Sequence, residues 1–267
     1  MGYIDRMSEH DSLAPSYRDT EWWRDHFSGS MLELWQAIVP PEQALDDADF
    51  LLTHGGLRPG NRVLDVPCGE GRVAVELAVR GVHAVGVDIS AGQIAAARTN
   101  AAVHRVEVEW HVADMRSVPW HAAFDAAFCW GDSFGYMDDA GNLDFLAAVH
   151  RTLVPGGRWA MEMQMVAELL LPRLQARASG RAGEFEVAVR RQYDPQSGRL
   201  WVEYELARCG ESETRQASYR IHSIKEIRAL LERAGFRVDQ LCARDGSAFG
   251  PGSDRLRVVC TALPSVR

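Results

Sequence analysis

The sequence predicts an α/β fold: a seven-stranded, mostly parallel, doubly wound sheet with N-terminal lid helices and an antiparallel β cap inserted after strand five. Between residues 62 and 165, short apolar runs alternate with amphipathic segments of helical length, which is typical of a parallel sheet covered by helices. After Met165 the apolar residues alternate with period two, which indicates antiparallel strands. The parallel rhythm resumes at Ser223.

The lid helices are predicted before the first strand. Residues 19–39 carry aromatic and aliphatic side chains at helical spacing, and two prolines, Pro40 and Pro41, end that pattern. Pro41 can also open a second helix, which ends near residue 55. Because both helices precede the sheet in the chain, we expect them to pack over it. Residues 1–16 are polar and lack periodicity, so we expect a mobile tail there.

The remaining elements are predicted in order along the chain. Ser90 is placed to cap one helix, and Ser223 with Glu226 forms a capping box that opens the last helix. Residues 195–198 have the composition of a hairpin turn. The main-sheet strands are predicted at 62–67, 82–88, 106–113, 124–130, 157–165, 236–243 and 255–263. The helices between them are predicted at 72–80, 90–101, 141–153 and 223–235. The cap is predicted as a short helix at 166–174, a loop containing two glycines, and strands at 184–193, 199–206 and 214–222.

The composition limits the classes of function. The chain has 267 residues, of which 46% are hydrophobic, and its formal net charge of -8 argues against a nucleic-acid partner. No apolar run approaches the length of a membrane span, and the beginning of the chain is unlike a signal peptide, so we expect a cytoplasmic protein. The five cysteines are scattered without metal-site spacing, and no metal is expected. The cap's edge strands would allow a monomer or a homodimer.

A glycine turn after the first strand carries the strongest functional signal. An apolar strand breaks into a turn containing Gly69 and Gly71, and Asp88 ends the next strand, which is the layout of a nucleotide-binding βαβ unit. Asp65 ends the first strand and Glu70 lies inside the turn, and these two carboxylates would repel a pyrophosphate. A ligand with a sulfonium and an ammonium group would be attracted instead. The turn therefore favours S-adenosylmethionine (SAM) over NAD.

Further motifs extend this pattern. Ile89 follows Asp88, the segment Ala113-Asp114-Met115 follows the third strand, and another apolar strand begins at Phe124. In this order and spacing, the chain resembles the class I SAM-dependent methyltransferases over about residues 56–165 and 223–263. We divide the chain into three parts. Residues 1–55 form a tail with lid helices, residues 56–165 together with 223–267 form a Rossmann-like SAM-binding domain, and residues 166–222 form an antiparallel cap insertion.

The resemblance implies roles for the motif residues. The glycine turn would let the backbone approach the methionine moiety, Asp88 would bind both ribose hydroxyls, and Asp114 would meet the exocyclic amine of adenine. Ile89 and Met115 would sandwich the adenine ring. Structural alternatives are a helix N-cap for Asp88, a turn cap for Asp114, and a buried structural carboxylate for Asp65. The predicted cofactor-binding residues are Asp65, Cys68, Gly69, Gly71, Asp88, Ile89, Asp114, Met115, Cys129 and Trp130.

The acceptor is expected beyond the carboxyl ends of the strands, where ligands bind in open α/β sheets. The rim there is rich in aromatic side chains, which favour an apolar acceptor and can stabilise a sulfonium by cation–π contact. The predicted substrate-binding residues are Trp22, Trp23, Phe27, Ser133, Phe134, Glu162, Arg191, Tyr193 and Tyr219, with Tyr17 a further lid candidate. Trp22 and Trp23 could equally form the buried face of the lid. The candidate catalytic residues are Asp132, His222 and Tyr136, although Asp132 could instead begin a turn and His222 could be structural.

We therefore predict a SAM-dependent methyltransferase that transfers a methyl group to a small-molecule metabolite or natural product by in-line displacement, mainly through positioning. The segment 131–134 lacks the Asn/Asp-Pro-Pro-Tyr/Phe motif of amino-methylating enzymes that act on nucleobases or glutamine, which argues against those substrates. Alternatives are a SAM-binding protein that catalyses a non-methylating reaction such as a cyclisation, and a non-enzymatic SAM-binding regulator. An NAD oxidoreductase fits the acidic turn poorly.

Overall fold

Two sheets contain the named strands of residues 21–264, the part of the chain that the computed structural model describes. The strands are β1 (Arg62–Asp65), β2 (His83–Asp88), β3 (Glu109–Val112), β4 (Phe124–Cys129), β5 (Leu153–Met163), β6 (Arg177–Ala182), β7 (Phe185–Asp194), β8 (Arg199–Arg208), β9 (Glu211–Arg220), β10 (Phe236–Cys242) and β11 (Leu256–Ala262). The helices are α1 (Trp23–His26), α2 (Gly29–Ile38), α3 (Pro41–Thr53), α4 (Arg72–Val79), α5 (Ala91–His104), α6 (Asp139–Thr152), α7 (Ala167–Leu170) and α8 (Ile224–Arg233). The predicted tail at 1–16 and Tyr17 lie outside the described residues.

The main sheet has seven strands in the order β10-β11-β5-β4-β1-β2-β3. Strands β1 to β5 run parallel to one another, and β11 lies antiparallel between β5 and β10. The order reverses at β1, so the carboxyl ends of β1 and β4 flank a crevice of the kind in which open α/β sheets bind ligands. The predicted fold class is confirmed.

The core lies on both faces of this sheet, because successive side chains of a strand point in opposite directions. Val63 belongs to the apolar cluster that includes residues of α3 and α4, whereas Leu64 belongs to the cluster that includes residues of α6 and α8. The predicted capping box is present at the start of α8. Helix α6 begins two residues earlier than predicted, because the side chain of Asp138 accepts a hydrogen bond from the backbone N–H of Gly141.

The lid differs from its prediction in one respect. The segment predicted as one helix at 19–39 is divided in the described region into α1 and α2. Gly29 has a φ of 53°, in the left-handed region that a continuous right-handed helix does not use. The preceding Ser28 lies between the two helices, and its hydroxyl donates a hydrogen bond to the backbone carbonyl of Asp25. The second lid helix, α3, has its predicted position.

The cap is a four-stranded antiparallel sheet in the order β6-β7-β8-β9. Three of its strands are close to their predicted positions, but the segment predicted as a loop with glycines forms the edge strand β6. Gly180 is paired with Val187 within this strand, and Gly183 makes the turn into β7 with a φ of 57°. The short helix predicted at 166–174 is α7 followed by a 3-10 turn at Leu171–Arg173.

Candidate active site

A cavity of about 960 Å³ lies at the carboxyl ends of the parallel strands, between the main sheet and the cap. The loops after β1, β2, β3 and β4 line it on one side, and residues of β7, β8 and the 3-10 turn line it on the other. Residues of the lid helices complete the wall. Most predicted site residues line this cavity; they are Trp23, Phe27, Asp65, Cys68, Gly69, Asp88, Ile89, Asp114, Met115, Trp130, Asp132, Ser133, Tyr136, Arg191 and Tyr219.

The two turn glycines are required for different reasons. Gly69 has a φ of 54°, and a Cβ there would meet only the Gln93 side chain, at 3.9 Å, so the backbone is open towards the cavity. Gly71 has a φ of 70° and does not line the cavity. A Cβ on Gly71 would collide with the ring of Trp110, which packs under the turn. Close approach of a ligand is therefore possible at Gly69, whereas Gly71 allows the turn to pack on β3.

Two buried carboxylates face the cavity beside this turn. Asp65, at the end of β1, is 3% exposed, and Asp88, at the end of β2, is 8% exposed. Asp88 accepts hydrogen bonds from the backbone N–H groups of Gly69 and Ser90, both at 2.9 Å. Burial raises the pKa of Asp65 well above its ordinary value, and the nearby charge of Asp88 adds to this; burial also raises the pKa of Asp88. Within residues 21–264, neither carboxylate has an ion-pair partner.

The carboxylate of Asp114 is already paired. Arg116 donates to one Asp114 oxygen from its Nε at 3.0 Å and to the other from a terminal nitrogen at 2.6 Å. The backbone N–H of Arg116 donates to Asp114 as well, at 2.9 Å, so the turn-capping alternative for this residue is realised. The hydrogen bonds from Arg116 hold the pKa of Asp114 below its usual value. Arg116 also pairs with Glu21 at 2.8 Å and links this loop to the lid.

An aromatic cluster forms the lid side of the cavity. Trp23 and Phe27 line it together with Tyr136, and the rings of Trp23 and Tyr136 are stacked with centroids 6.4 Å apart. Trp22 does not line the cavity; its ring packs behind this wall, 4.9 Å from Tyr136 and 5.1 Å from Tyr219. Trp22 therefore belongs to the buried face of the lid, whereas Trp23 faces the cavity.

The three candidate catalytic residues differ in position. Asp132 lines the cavity in a left-handed conformation, with a φ of 62°, and accepts hydrogen bonds from the backbone N–H groups of Gln164 and Met165. Burial raises its pKa. Burial also raises the pKa of Tyr136, whose hydroxyl donates to the Ser133 hydroxyl at 3.5 Å.

His222 lies away from the cavity. It is 2% exposed, its Nε2 is 3.2 Å from a carboxylate oxygen of Asp139, and burial lowers its pKa. Its ring packs against Phe134, with centroids 5.4 Å apart, and Phe134 does not line the cavity either. Both residues therefore stabilise the junction between the cap and α6.

Glu162 also lies outside the lining, in a buried ionic cluster. It is 0% exposed and pairs with Arg255 and with Arg257, each at 2.7 Å. Arg257 pairs in addition with Asp47 of the lid helix α3. Asp47 and Arg255 line the cavity, and sequence reasoning did not find them, because no local pattern marks a partnership between residues so far apart in the chain.

Two further predicted residues are also absent from the lining. Cys129 is fully buried at the end of β4, and its burial raises the pKa of its thiol. Tyr193 packs against the apolar core at the far end of β7. Conversely, Gln93, Trp35 and Tyr204 line the cavity although the sequence did not identify them as site residues.

Comparison with known proteins identifies the domain that carries this site. A family model described as "Methyltransferase domain" matches residues 63–157. This part of the chain is similar to methyltransferase domains. The O-methyltransferase resE of Aspergillus sclerotiorum is 35% identical over 144 residues, which are 52% of this chain and 50% of that protein. The chain spans about half the length of the curated relatives that it matches.

Solved structures share the fold over most of the chain. The CcbJ methyltransferase of Streptomyces caelestis matches with a TM-score of 0.76 at 17% identity, covering 90% of this chain and 99% of that one. SAM-bound CalS10 of Micromonospora echinaspora, an amino pentose methyltransferase, matches with a TM-score of 0.65 at 20% identity, covering 88% of this chain and 97% of that one. The predicted resemblance to class I methyltransferases is confirmed for the fold and for the methyltransferase domain.

The family model matches only part of the cavity wall. Residues 63–157 include the predicted cofactor-binding residues of the glycine turn and of the loops after β2, β3 and β4. The lid residues Trp23 and Phe27 and the cap residues Arg191 and Tyr219 lie outside the matched range. No helix among residues 21–264 combines the length and the apolar character needed to cross a membrane.

Proposed function

We propose that this chain transfers a methyl group from SAM to a small-molecule acceptor held between the main sheet and the cap. The observation that carries the proposal is the pair of buried carboxylates, Asp65 and Asp88, which face the cavity without an ion-pair partner in the described region. Isolated buried charges are costly, and a cationic, hydroxyl-bearing ligand would compensate both. The net charge of -8 argues against a nucleic-acid acceptor and so favours a small molecule.

The residues around the turn fit SAM in charge and in shape. The open backbone at Gly69 admits the methionine moiety, and the free lone pairs of Asp88 are placed to accept from ribose hydroxyls. Ile89 and Met115 supply apolar surfaces for an adenine ring. Asp114 is a weaker candidate for the adenine amine, because Arg116 already occupies both of its oxygens.

Positioning supplies most of the rate in this proposal. SAM, when bound, supplies an electrophilic methyl group; an acceptor lone pair forms the new bond to it as the bond from carbon to sulfur breaks, which leaves S-adenosylhomocysteine (SAH). The aromatic wall of Trp23, Phe27 and Tyr136 orients the acceptor and excludes water. Orientation of this kind is worth effective molarities of about 10⁵–10⁸ M.

Asp132 is the residue we assign to hold an acceptor proton, where the acceptor must lose one. It is a lining carboxylate, and burial raises its pKa above that of an ordinary aspartate, which makes it a better proton acceptor. Tyr136 keeps its proton because burial raises its pKa. We do not assign this role to His222, because it does not line the cavity.

A binding comparison tests the proposal. SAM and SAH should each raise the unfolding temperature, since a ligand at one hundred times its dissociation constant stabilises by about 2.7 kcal/mol, and NADH should not. Stabilisation by NADH and not by SAM would contradict the proposal. An acceptor screen that follows SAH release then separates methyl transfer from its alternatives: a non-methylating enzyme would convert its substrate without SAH formation, and a regulator would convert none.

A further inference from the structure

Charge is unevenly divided over the cavity wall. Among the described residues, every carboxylate that lines the cavity comes from the main sheet, its loops or α3. The cap contributes no lining carboxylate in that region, and it contributes three arginines, Arg173, Arg181 and Arg191. The end proposed to bind the sulfonium is therefore acidic, and the opposite end is basic.

Arg191 is the most constrained of these arginines. It is half-buried on β7, on the same face as Val187 and Val189, and its cross-strand neighbour on β8 is Val202. Its charge lowers the pKa of the neighbouring Tyr204, although burial raises that pKa by more. A cationic side chain thus projects from an apolar face into the cavity.

The pairing of nearby arginines shows what Arg191 lacks. The adjacent Arg190 points to the opposite face and pairs with Glu203 at 3.0 Å. On the cavity wall, Arg72 pairs with Glu70 at 3.0 Å and Arg255 pairs with Glu162 at 2.7 Å. Within residues 21–264, Arg191 has no such carboxylate, and neither do Arg173 and Arg181.

We propose that the acceptor is an amphipathic anion whose carboxylate or phosphate group is bound by Arg191, with Arg173 and Arg181 adding positive charge at the cavity mouth. This inference rests on the proposed function. The planar guanidinium of arginine matches both anions with two parallel hydrogen bonds. The apolar body of the acceptor then lies along Val187 and Val189, and its reacting atom faces the acidic end where the methyl donor binds.

Three related probes test the inference on SAH-saturated protein by isothermal titration calorimetry: 2-naphthoate, 2-naphthyl phosphate and the neutral 2-naphthamide. At least one anion should bind tenfold or more tightly than the amide, and the better anion identifies a carboxylate or a phosphate ester. Arg191→Gln should remove this preference while leaving the amide unchanged, and Arg191→Lys should restore part of it. Arg177→Gln is the matched control, because Arg177 lies on the exposed edge of the cap and does not line the cavity.

The possible outcomes distinguish a failure of this inference from a failure of the proposed function. Failure of SAH to bind the wild-type protein would contradict the proposed function. Normal SAH binding with no preference for either anion, or an equal loss in the Arg177→Gln control, would overturn the anionic-acceptor inference alone. Weakened SAH binding in Arg191→Gln with unchanged probe binding would also overturn it, since Arg191 would then serve the cofactor.

Discussion

Replacing Asp88 by alanine tests the proposed ribose contact. Asp88 is 8% exposed, lines the cavity, and is held by two backbone N–H groups, so its remaining lone pairs have a fixed direction. A hydrogen bond to a charged group contributes about 1.5–3 kcal/mol. Since about 1.4 kcal/mol corresponds to tenfold in affinity, Asp88→Ala should weaken SAH binding by about 10- to 150-fold.

Isothermal titration calorimetry with SAH, adenosine and adenine resolves which part of the ligand is affected. SAH and adenosine should lose affinity by the same factor, and adenine, which has no ribose, should lose none. Asp125→Ala is the control for loss of a structural carboxylate: Asp125 accepts a hydrogen bond from the backbone N–H of Arg62 at 2.8 Å and does not line the cavity. Unchanged adenosine affinity in a folded Asp88→Ala protein would refute the ribose assignment.

Three further substitutions follow from the same geometry. Because burial raises the folded-state pKa of Asp65, ionisation of this carboxyl destabilises the free protein as pH rises above about 4, the ordinary pKa of aspartate. Asp65→Asn should therefore raise the melting temperature more at pH 8 than at pH 5, and it should weaken the binding of SAM more than that of SAH, which lacks the sulfonium charge. Gly71→Ala should lower the free energy of unfolding, measured in urea, by about 2–4 kcal/mol, because of backbone strain and collision with Trp110. The control Gly252→Ala, at a φ of 92° with open space around it, should lower it by only about 1–2 kcal/mol from strain alone. Equal losses in the two variants would contradict the packing argument. Ile89→Ala should weaken adenosine binding by about tenfold through lost apolar contact, and an unchanged affinity would remove Ile89 from the adenine site.

The sequence predicted which residues line the end of the cavity proposed to bind the cofactor, because the signals there are local. A strand end, a glycine turn and the carboxylate that ends the next strand are neighbours in a βαβ unit, so their spacing in the chain specifies their spacing in space. The ion pair between Asp114 and Arg116 was not predicted, although the two residues are close in the chain. A sequence does not tell whether a flexible arginine side chain turns towards a neighbouring carboxylate or away from it.

The break in the lid at Gly29 and the edge strand β6 of the cap were not predicted, because neither is visible in the pattern of apolar residues. The pattern of residues 21–38 remains helical across the break at Gly29, since a left-handed residue changes direction without changing the spacing of apolar side chains. In strand β6, Arg177–Ala182, only the two alanines are half-buried, and the other residues are polar or glycine and exposed. It is a strand because β7 offers it an open edge, and that partner is visible only in the folded chain.

Glu162 shows most clearly what the sequence could not predict about the site. Its position late in β5 predicted a substrate contact, since residues at the carboxyl ends of strands face the ligand crevice. The antiparallel strand β11 pairs with β5 and brings Arg257 directly opposite Glu162. An unpaired carboxylate at 0% exposure would be costly, and Glu162 is paired with Arg257 of β11 and with Arg255, which directly precedes that strand. Glu162 does not line the cavity. The chain thus exposes only Asp47 and Arg255 of this cluster to the cavity, and the identity of the exposed members depends on strand register.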